Sequence, residues 1–189
     1  MFPVALERPA QVLLALAGGK CLKYGMAFPE SLQAVWAPWR VEYFAMDKSR
    51  DFLSEAAHST DDRAHLVVRR LKDTFLIMNR FPYTVGHLMA VPYRKVADIA
   101  DLTPGEQSEL WEQAAFAQKL LRAVVRAEGF NVGLNLGKAG GAGVADHLHL
   151  HIVPRWEGDT NFMPVLGNVR VMAESLEALY GKLLEAVAY

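Results

Sequence analysis

A single cysteine, Cys21, stands among 189 residues, so no disulfide can close within the chain and a reducing compartment is expected. Charge of one sign is also lacking: 20 Lys and Arg face 21 Asp and Glu, a formal net charge of −1. No global basic field exists to hold long nucleic acid, and any phosphate must be bound by a local arrangement. Nor does any apolar run approach the roughly 20 residues needed to span a bilayer. The one stretch that resembles an export signal, Val12 to Ala17, is short and follows Glu7 beside Arg8 rather than a positive segment. These absences point away from secreted, membrane and nucleic-acid-binding classes. They favour a cytoplasmic protein with a small-molecule ligand.

What is present suits a globular domain, with 52% apolar and 22% charged residues. Residues 1–30 carry no strong period and read as an N-terminal extension, with a short added helix near Val12 to Ala17 as the alternative. Residues 31–189 read as one domain. It opens on Trp36-Ala37-Pro38-Trp39-Arg40-Val41-Glu42-Tyr43-Phe44, an aromatic cluster of the kind that builds a packing surface. Strands are expected at His65–Arg69, Thr74–Met78 and Gly86–Val91, separated by a Lys72-Asp73 turn and a loop with Pro82. A long helix should begin at Thr103, with Pro104 at its first position and Glu106 completing a capping box, and stop at Gly129. Two further strands, Phe130–Leu136 and Leu148–Val153, and a final amphipathic helix over Ala173–Val187 complete the pattern. Short sequential strands with hairpin-sized connections predict an α+β domain with an antiparallel sheet of about five strands, one long helix and a C-terminal helix.

Chemistry concentrates in His147-Leu148-His149-Leu150-His151-Ile152-Val153, which holds three of the six histidines. In an extended strand, alternate side chains share one face about 6–7 Å apart. The three imidazoles should therefore lie together, with Leu148, Leu150 and Ile152 turned to the core. Such a row can supply a nucleophile, phosphate hydrogen bonds and a proton donor. Directly upstream, Asn135-Leu136-Gly137-Lys138-Ala139-Gly140-Gly141-Ala142-Gly143 is rich in glycine, and Gly141 and Gly143 are candidates for a backbone phosphate seat. From spacing alone, a zinc site at the histidines stays open as a rival.

The motif resembles the signature of the histidine triad (HIT) superfamily, His-φ-His-φ-His-φ-φ with φ apolar, and is complete from His147 to Val153. The likeness runs from about Trp36 to Pro164. The aromatic opening and the segment Pro154-Arg155-Trp156-Glu157-Gly158-Asp159-Thr160-Asn161-Phe162-Met163-Pro164 resemble the prokaryotic branch of diadenosine polyphosphate phosphorylases and hydrolases. The resemblance implies that His149 attacks an α-phosphorus to give a nucleotidyl-histidine. It gives His151 the phosphoryl oxygens and leaving group, and His147 the support of the nucleophile. It places His87 and Asn135 near the phosphate, Asn79 at the ribose and Ile77 at the base.

The implied function is cleavage of dinucleoside polyphosphates; a phosphoramidate or acyl nucleotide as substrate, and a non-catalytic nucleotide sensor, stay open. A homodimer with a shared sheet is implied as well. No cofactor is expected beyond a divalent ion carried by the substrate. Many relatives bind structural zinc through a Cys-x-x-Cys pair where this chain has Asp51-Phe52-Leu53-Ser54, so structural zinc is expected to be absent. The residues before the triad, Gly143-Val144-Ala145-Asp146, also depart from the Gln or Ser of many hydrolases and leave the acceptor open.

Overall fold

A computed structural model describes residues 51–159 and 174–188. The expected extension at residues 1–30, the aromatic opening at Trp36 and the stretch from Thr160 to Ala173 lie outside the described residues.

The chain runs through helix α1 (Phe52–His58), a single turn α2 (Asp62–His65), strands β1 (Val67–Arg70), β2 (Thr74–Met78) and β3 (Leu88–Pro92), then a 3-10 turn at Ile99–Asp101. Helix α3 (Pro104–Val125), strands β4 (Gly129–Leu134) and β5 (Leu150–Arg155) and helix α4 (Leu176–Val187) follow. The strands form one sheet in the order β1-β2-β3-β5-β4, with every neighbouring pair antiparallel. This is the α+β architecture expected from the sequence.

Both faces of the sheet are covered, which is why β2 is apolar at four consecutive positions, Phe75 to Met78, instead of alternating. On one face Leu76, Met78, Leu88, Ala90, Leu150 and Ile152 pack with Leu110, Ala114, Ala117 and Leu121 of α3 and with Leu179, Tyr180 and Leu183 of α4. On the other, Val67, Phe75, Ile77, Met89 and Val91 pack with Leu53 and Ala56 of α1. The Tyr180 hydroxyl, 2.7 Å from the Val67 carbonyl, fixes α4 against the start of β1.

Several boundaries differ from those expected. His65 ends α2, and Leu66 turns the chain in the left-handed region at φ 59°, so the first strand starts at Val67. Helix α3 stops at Arg126, also left-handed, before Gly129, which instead opens β4. Strand β4 ends at Leu134, two residues early, and β5 begins at Leu150, so His147 and His149 precede it.

The start of α3 behaves as its sequence predicts. Thr103 Oγ1 accepts the Glu106 N–H, and the Glu106 carboxylate accepts the Thr103 N–H at 2.8 Å. That carboxylate also takes two hydrogen bonds from the Arg94 guanidinium, at 3.0 and 2.7 Å. Arg94 first, and the Thr103 amide after it, outweigh the burial that opposes ionisation, and they hold the carboxyl at about 2 against an ordinary 4.5. A carboxyl held low in the folded state stabilises it above the unfolded value, and the gain is lost as pH falls through the folded one. Glu106→Gln should therefore cost about 1–2 kcal/mol at pH 7, a modest figure because Arg94 is half exposed. In denaturant titrations, the difference from the wild type should close between about pH 4.5 and 2.

Candidate active site

Sheet register gathers the site. In antiparallel pairing, residues directly opposite one another show the same face. Ile77 lies opposite Met89, Met89 opposite His151, and His151 opposite Gly133. With strands about 4.8 Å apart, Ile77 and His151 sit roughly 10 Å apart on the α1 side of the sheet. Gly133 carries no side chain there, and a Cβ built on it would meet nothing within 4 Å, so the space beside His151 stays open.

The tautomers of the buried histidines follow from fixed neighbours. A turn through Gly86 delivers His87. Its φ is 79°, and a Cβ would come within 2.9 Å of Leu121 and 3.3 Å of Pro154, so only glycine fits. His87 Nδ1 accepts the Tyr83 backbone N–H at 3.1 Å, which puts the imidazole proton on Nε2 in the neutral ring. Nε2 points at His151 Nδ1, 2.9 Å away, and donates to it. His151 in turn must carry its own proton on Nε2, where it faces Asn135 Nδ2 at 3.4 Å. Two N–H donors thus converge without satisfying each other, an arrangement suited to a phosphoryl oxygen.

His149 is fixed differently. Its Nδ1 stands 2.8 Å from the His147 carbonyl, which can only accept, so Nδ1 carries the proton and Nε2 keeps its lone pair. The His149 and His151 rings meet edge to face with centroids 4.8 Å apart. Burial, the larger influence, lowers the His149 pKa against the opposing backbone hydrogen bond; burial and then the His149 charge bring His151 down to about 4. Both rings are neutral near pH 7, a state in which an imidazole can serve as a nucleophile or a neutral donor.

His147 does not share that space, contrary to the expected row of three. Its ring is fully buried at the other end of the segment, with Nε2 donating to the Pro92 carbonyl at 2.9 Å and Nδ1 3.5 Å from Ser54 Oγ. Leu148, Leu150 and Ile152 face the helices as expected.

The other expected residues divide. Asn79 is buried beside His87, its Oδ1 accepting the Phe81 N–H at 2.9 Å and its Nδ2 3.3 Å from His87 Nδ1. Ile77 lines a cleft of about 280 Å³ with Phe52, Glu55, His65, Arg80 and Phe81. The glycine loop instead folds on itself. Gly141, at φ 84°, gives its N–H to the Lys138 carbonyl, and Ala142 gives its own to Gly137. A Cβ at Gly140 would strike the Leu136 carbonyl oxygen at 2.3 Å. No hydrogen bond among the described residues joins Gly141 or Gly143 to the triad.

Tyr83 was missed from sequence: its ring covers His87 and His151, with centroids 4.6 and 5.6 Å away. A solvated loop tyrosine gives no pattern that could have revealed this. The segment after the triad is a brace: Arg155 grips Asp159 through two 2.6 Å hydrogen bonds, and Trp156 Nε1 donates to the Arg126 carbonyl at the end of α3.

A structural zinc does not fit the Asp51–Ser54 stretch. In place of thiolates it offers one carboxylate and one hydroxyl, and the Lys95 ammonium already stands 2.5 Å from Asp51 Oδ2. A second cation there would be repelled.

Comparison with known proteins agrees with this geometry. Residues 61–158 match the HIT domain family. An "AP-4-A phosphorylase" of Mycobacterium tuberculosis is 42% identical over 164 residues, covering 80% of this chain and 83% of the relative. A "Bis(5'-nucleosyl)-tetraphosphatase [asymmetrical]" of Schizosaccharomyces pombe is 33% identical over 93 residues, 49% of this chain and 50% of that one. Among solved structures, a Zn-bound histidine triad family protein from Mycobacterium smegmatis superposes with a TM-score of 0.55 at 24% identity, covering 65% of this chain and 84% of the other. That likeness concerns the fold.

Proposed function

This chain belongs to the HIT domain family, and on that premise we propose that it cleaves dinucleoside polyphosphates of the diadenosine tetraphosphate type through a nucleotidyl intermediate on His149. One observation carries the reading: His149 Nε2 holds an uncommitted lone pair beside two converging donors, His151 Nε2–H and the Asn135 amide.

His149 Nε2 would bond to the α-phosphorus as the bridging P–O bond breaks and its electrons leave with the nucleoside polyphosphate. Nδ1–H stays on the His147 carbonyl, which steadies the positive charge the ring then carries. His151 and Asn135 hold the α-phosphoryl oxygens. An acceptor oxygen then takes the nucleotidyl group, and His149 recovers its lone pair. The 42% identical relative favours inorganic phosphate as that acceptor. The nucleoside would lie in the cleft at Ile77, with Asn79 toward its ribose. The roughly 10 Å between Ile77 and His151 across two strand spacings suits a base-to-α-phosphate reach.

The proposal includes a cytoplasmic location and a homodimer sharing its sheet. Among the described residues β4 is a sheet edge with exposed positions at Asn131 and Gly133, which supports pairing with a second copy.

The test is an assay of diadenosine tetraphosphate with and without phosphate. Phosphorolysis releases ADP and ATP; hydrolysis at the same bond releases AMP and ATP. Mass analysis of enzyme quenched during turnover should find one AMP-sized adduct, on the peptide containing His149. Turnover with no adduct on any histidine would overturn the nucleotidyl mechanism.

A further inference from the structure

The polar cluster behind His147 lies outside the reacting atoms, yet every group in it leads to the nucleophile. Asp51 caps α1, its Oδ1 accepting the Ser54 N–H at 3.0 Å and its Oδ2 the Ser54 hydroxyl at 2.8 Å. Lys95, just past the end of β3, reaches Asp51 Oδ2 at 2.5 Å and Asp146 Oδ2 at 2.8 Å. Asp51 Oδ1 and Ser54 Oγ stand 3.9 and 3.5 Å from His147 Nδ1. The backbone closes the same junction, with the Leu148 N–H donating to the Val96 carbonyl at 2.7 Å. Partial burial opposes ionisation of Asp51, but Lys95 and Ser54 outweigh it and hold the carboxyl at about 2, so the cluster stays charged.

We propose that this Asp51–Lys95–Asp146 clasp holds the entry to the triad in place without a bound metal. It seats His147, and the carbonyl of His147 sets the tautomer and aim of His149. Three separate pieces of chain meet in it: the start of α1, the end of β3 and the entry to the triad. Lys95 supplies the cation internally, and it is a positioning residue. Exposed ion pairs contribute little to overall stability. The clasp should therefore show in the rate more than in the melting temperature, since small misplacements of a reacting group are costly. The rate measurements rest on the function proposed above; the metal and spectroscopic measurements do not.

The experiment compares wild type with Lys95→Met, Lys95→Arg, Asp51→Asn and the Lys95→Met/Asp51→Asn double variant. Asn keeps the helix cap, and Met keeps the apolar stem. Lys95→Met and Asp51→Asn should each lower kcat about tenfold with KM within about twofold, the double variant should lose no more than either, and Lys95→Arg should restore most of the rate. In 15N NMR of His149, the wild type should show the Nδ1-protonated ring and Lys95→Met a mixture of tautomers. The purified wild type should hold no stoichiometric zinc, and chelator should not move its Tm. Where Lys95→Met lowers the yield of folded protein, Asp146→Asn, an exposed change, reads the same effect at about two- to threefold. One equivalent of zinc, an unchanged kcat, a loss confined to KM or an unaltered His149 spectrum would each overturn the clasp. A wild type unable to split dinucleotides would overturn the proposed function instead, and the His149 spectrum would still judge the clasp.

Discussion

His149→Gly is expected to lower kcat by roughly 10⁴-fold or more, the scale on which removal of a covalent nucleophile is felt. The affinity for a non-cleavable dinucleotide should change by less than about threefold, because the contacts proposed for base, ribose and phosphate come from other residues. The variant should also fold: among the described residues the His149 ring makes one hydrogen bond, to the carbonyl two residues before it, and belongs to neither apolar cluster. Single-turnover kinetics with isothermal titration separates the two quantities. Full turnover in His149→Gly would remove the nucleophile from the mechanism, and lost binding with normal kcat would make His149 a ligand contact.

The second large effect belongs to His151. Its proton is placed on Nε2 by a chain that begins at a backbone amide, Tyr83 N–H to His87 Nδ1, then His87 Nε2–H to His151 Nδ1. His151→Leu removes the donor and should cost about 10²–10⁴-fold in kcat. His151→Gln places an amide nitrogen near the position of Nε2 and should recover part of that loss. Because burial and the neighbouring His149 charge hold His151 at about 4, and burial also lowers His149, both rings are neutral near pH 7. The wild-type kcat/KM should be level near pH 7 and decline on acidification with a midpoint below that of an ordinary histidine, as the His149 lone pair is protonated. A decline centred on an unperturbed histidine would contradict the buried geometry. Equal rates in His151→Leu and wild type would remove the donor role.

Much of this was legible in the residues, for local reasons. The capping box at Thr103 and Glu106 fixes the start of α3 within three positions, and the apolar alternation from Leu148 to Ile152 fixes which way the triad faces. Thr74–Met78 reads as a strand because no residue in it resists one. The misses have a different origin. Leu66 and Arg126 take left-handed backbone without being glycine, so no breaker marks the start of β1 or the end of α3. The long glycine stretch suggested a phosphate seat, whereas the positive φ at Gly137 and Gly141 serves a turn closed on itself. The parting of His147 from His149 and His151 goes with its contacts to the Pro92 carbonyl and the Ser54 hydroxyl, 55 and 93 residues before it in the chain. The tautomer chain from Tyr83 through His87 to His151 likewise joins residues 64 positions apart. Contacts between distant segments leave no local period to read.

The lateral line from Ile77 through Met89 and His151 to Gly133 has a consequence for how this chain can change in length. A strand obeys a parity rule: removing one residue anywhere between His151 and the end of β5 exchanges inward for outward at every position on one side of the cut. The surface turn from Gly137 to Ala142 obeys no such rule, since the Gly141 and Ala142 amides bond within it. Insertions and deletions should be admitted there and refused a few residues later, making loop size the adjustable dimension of this site.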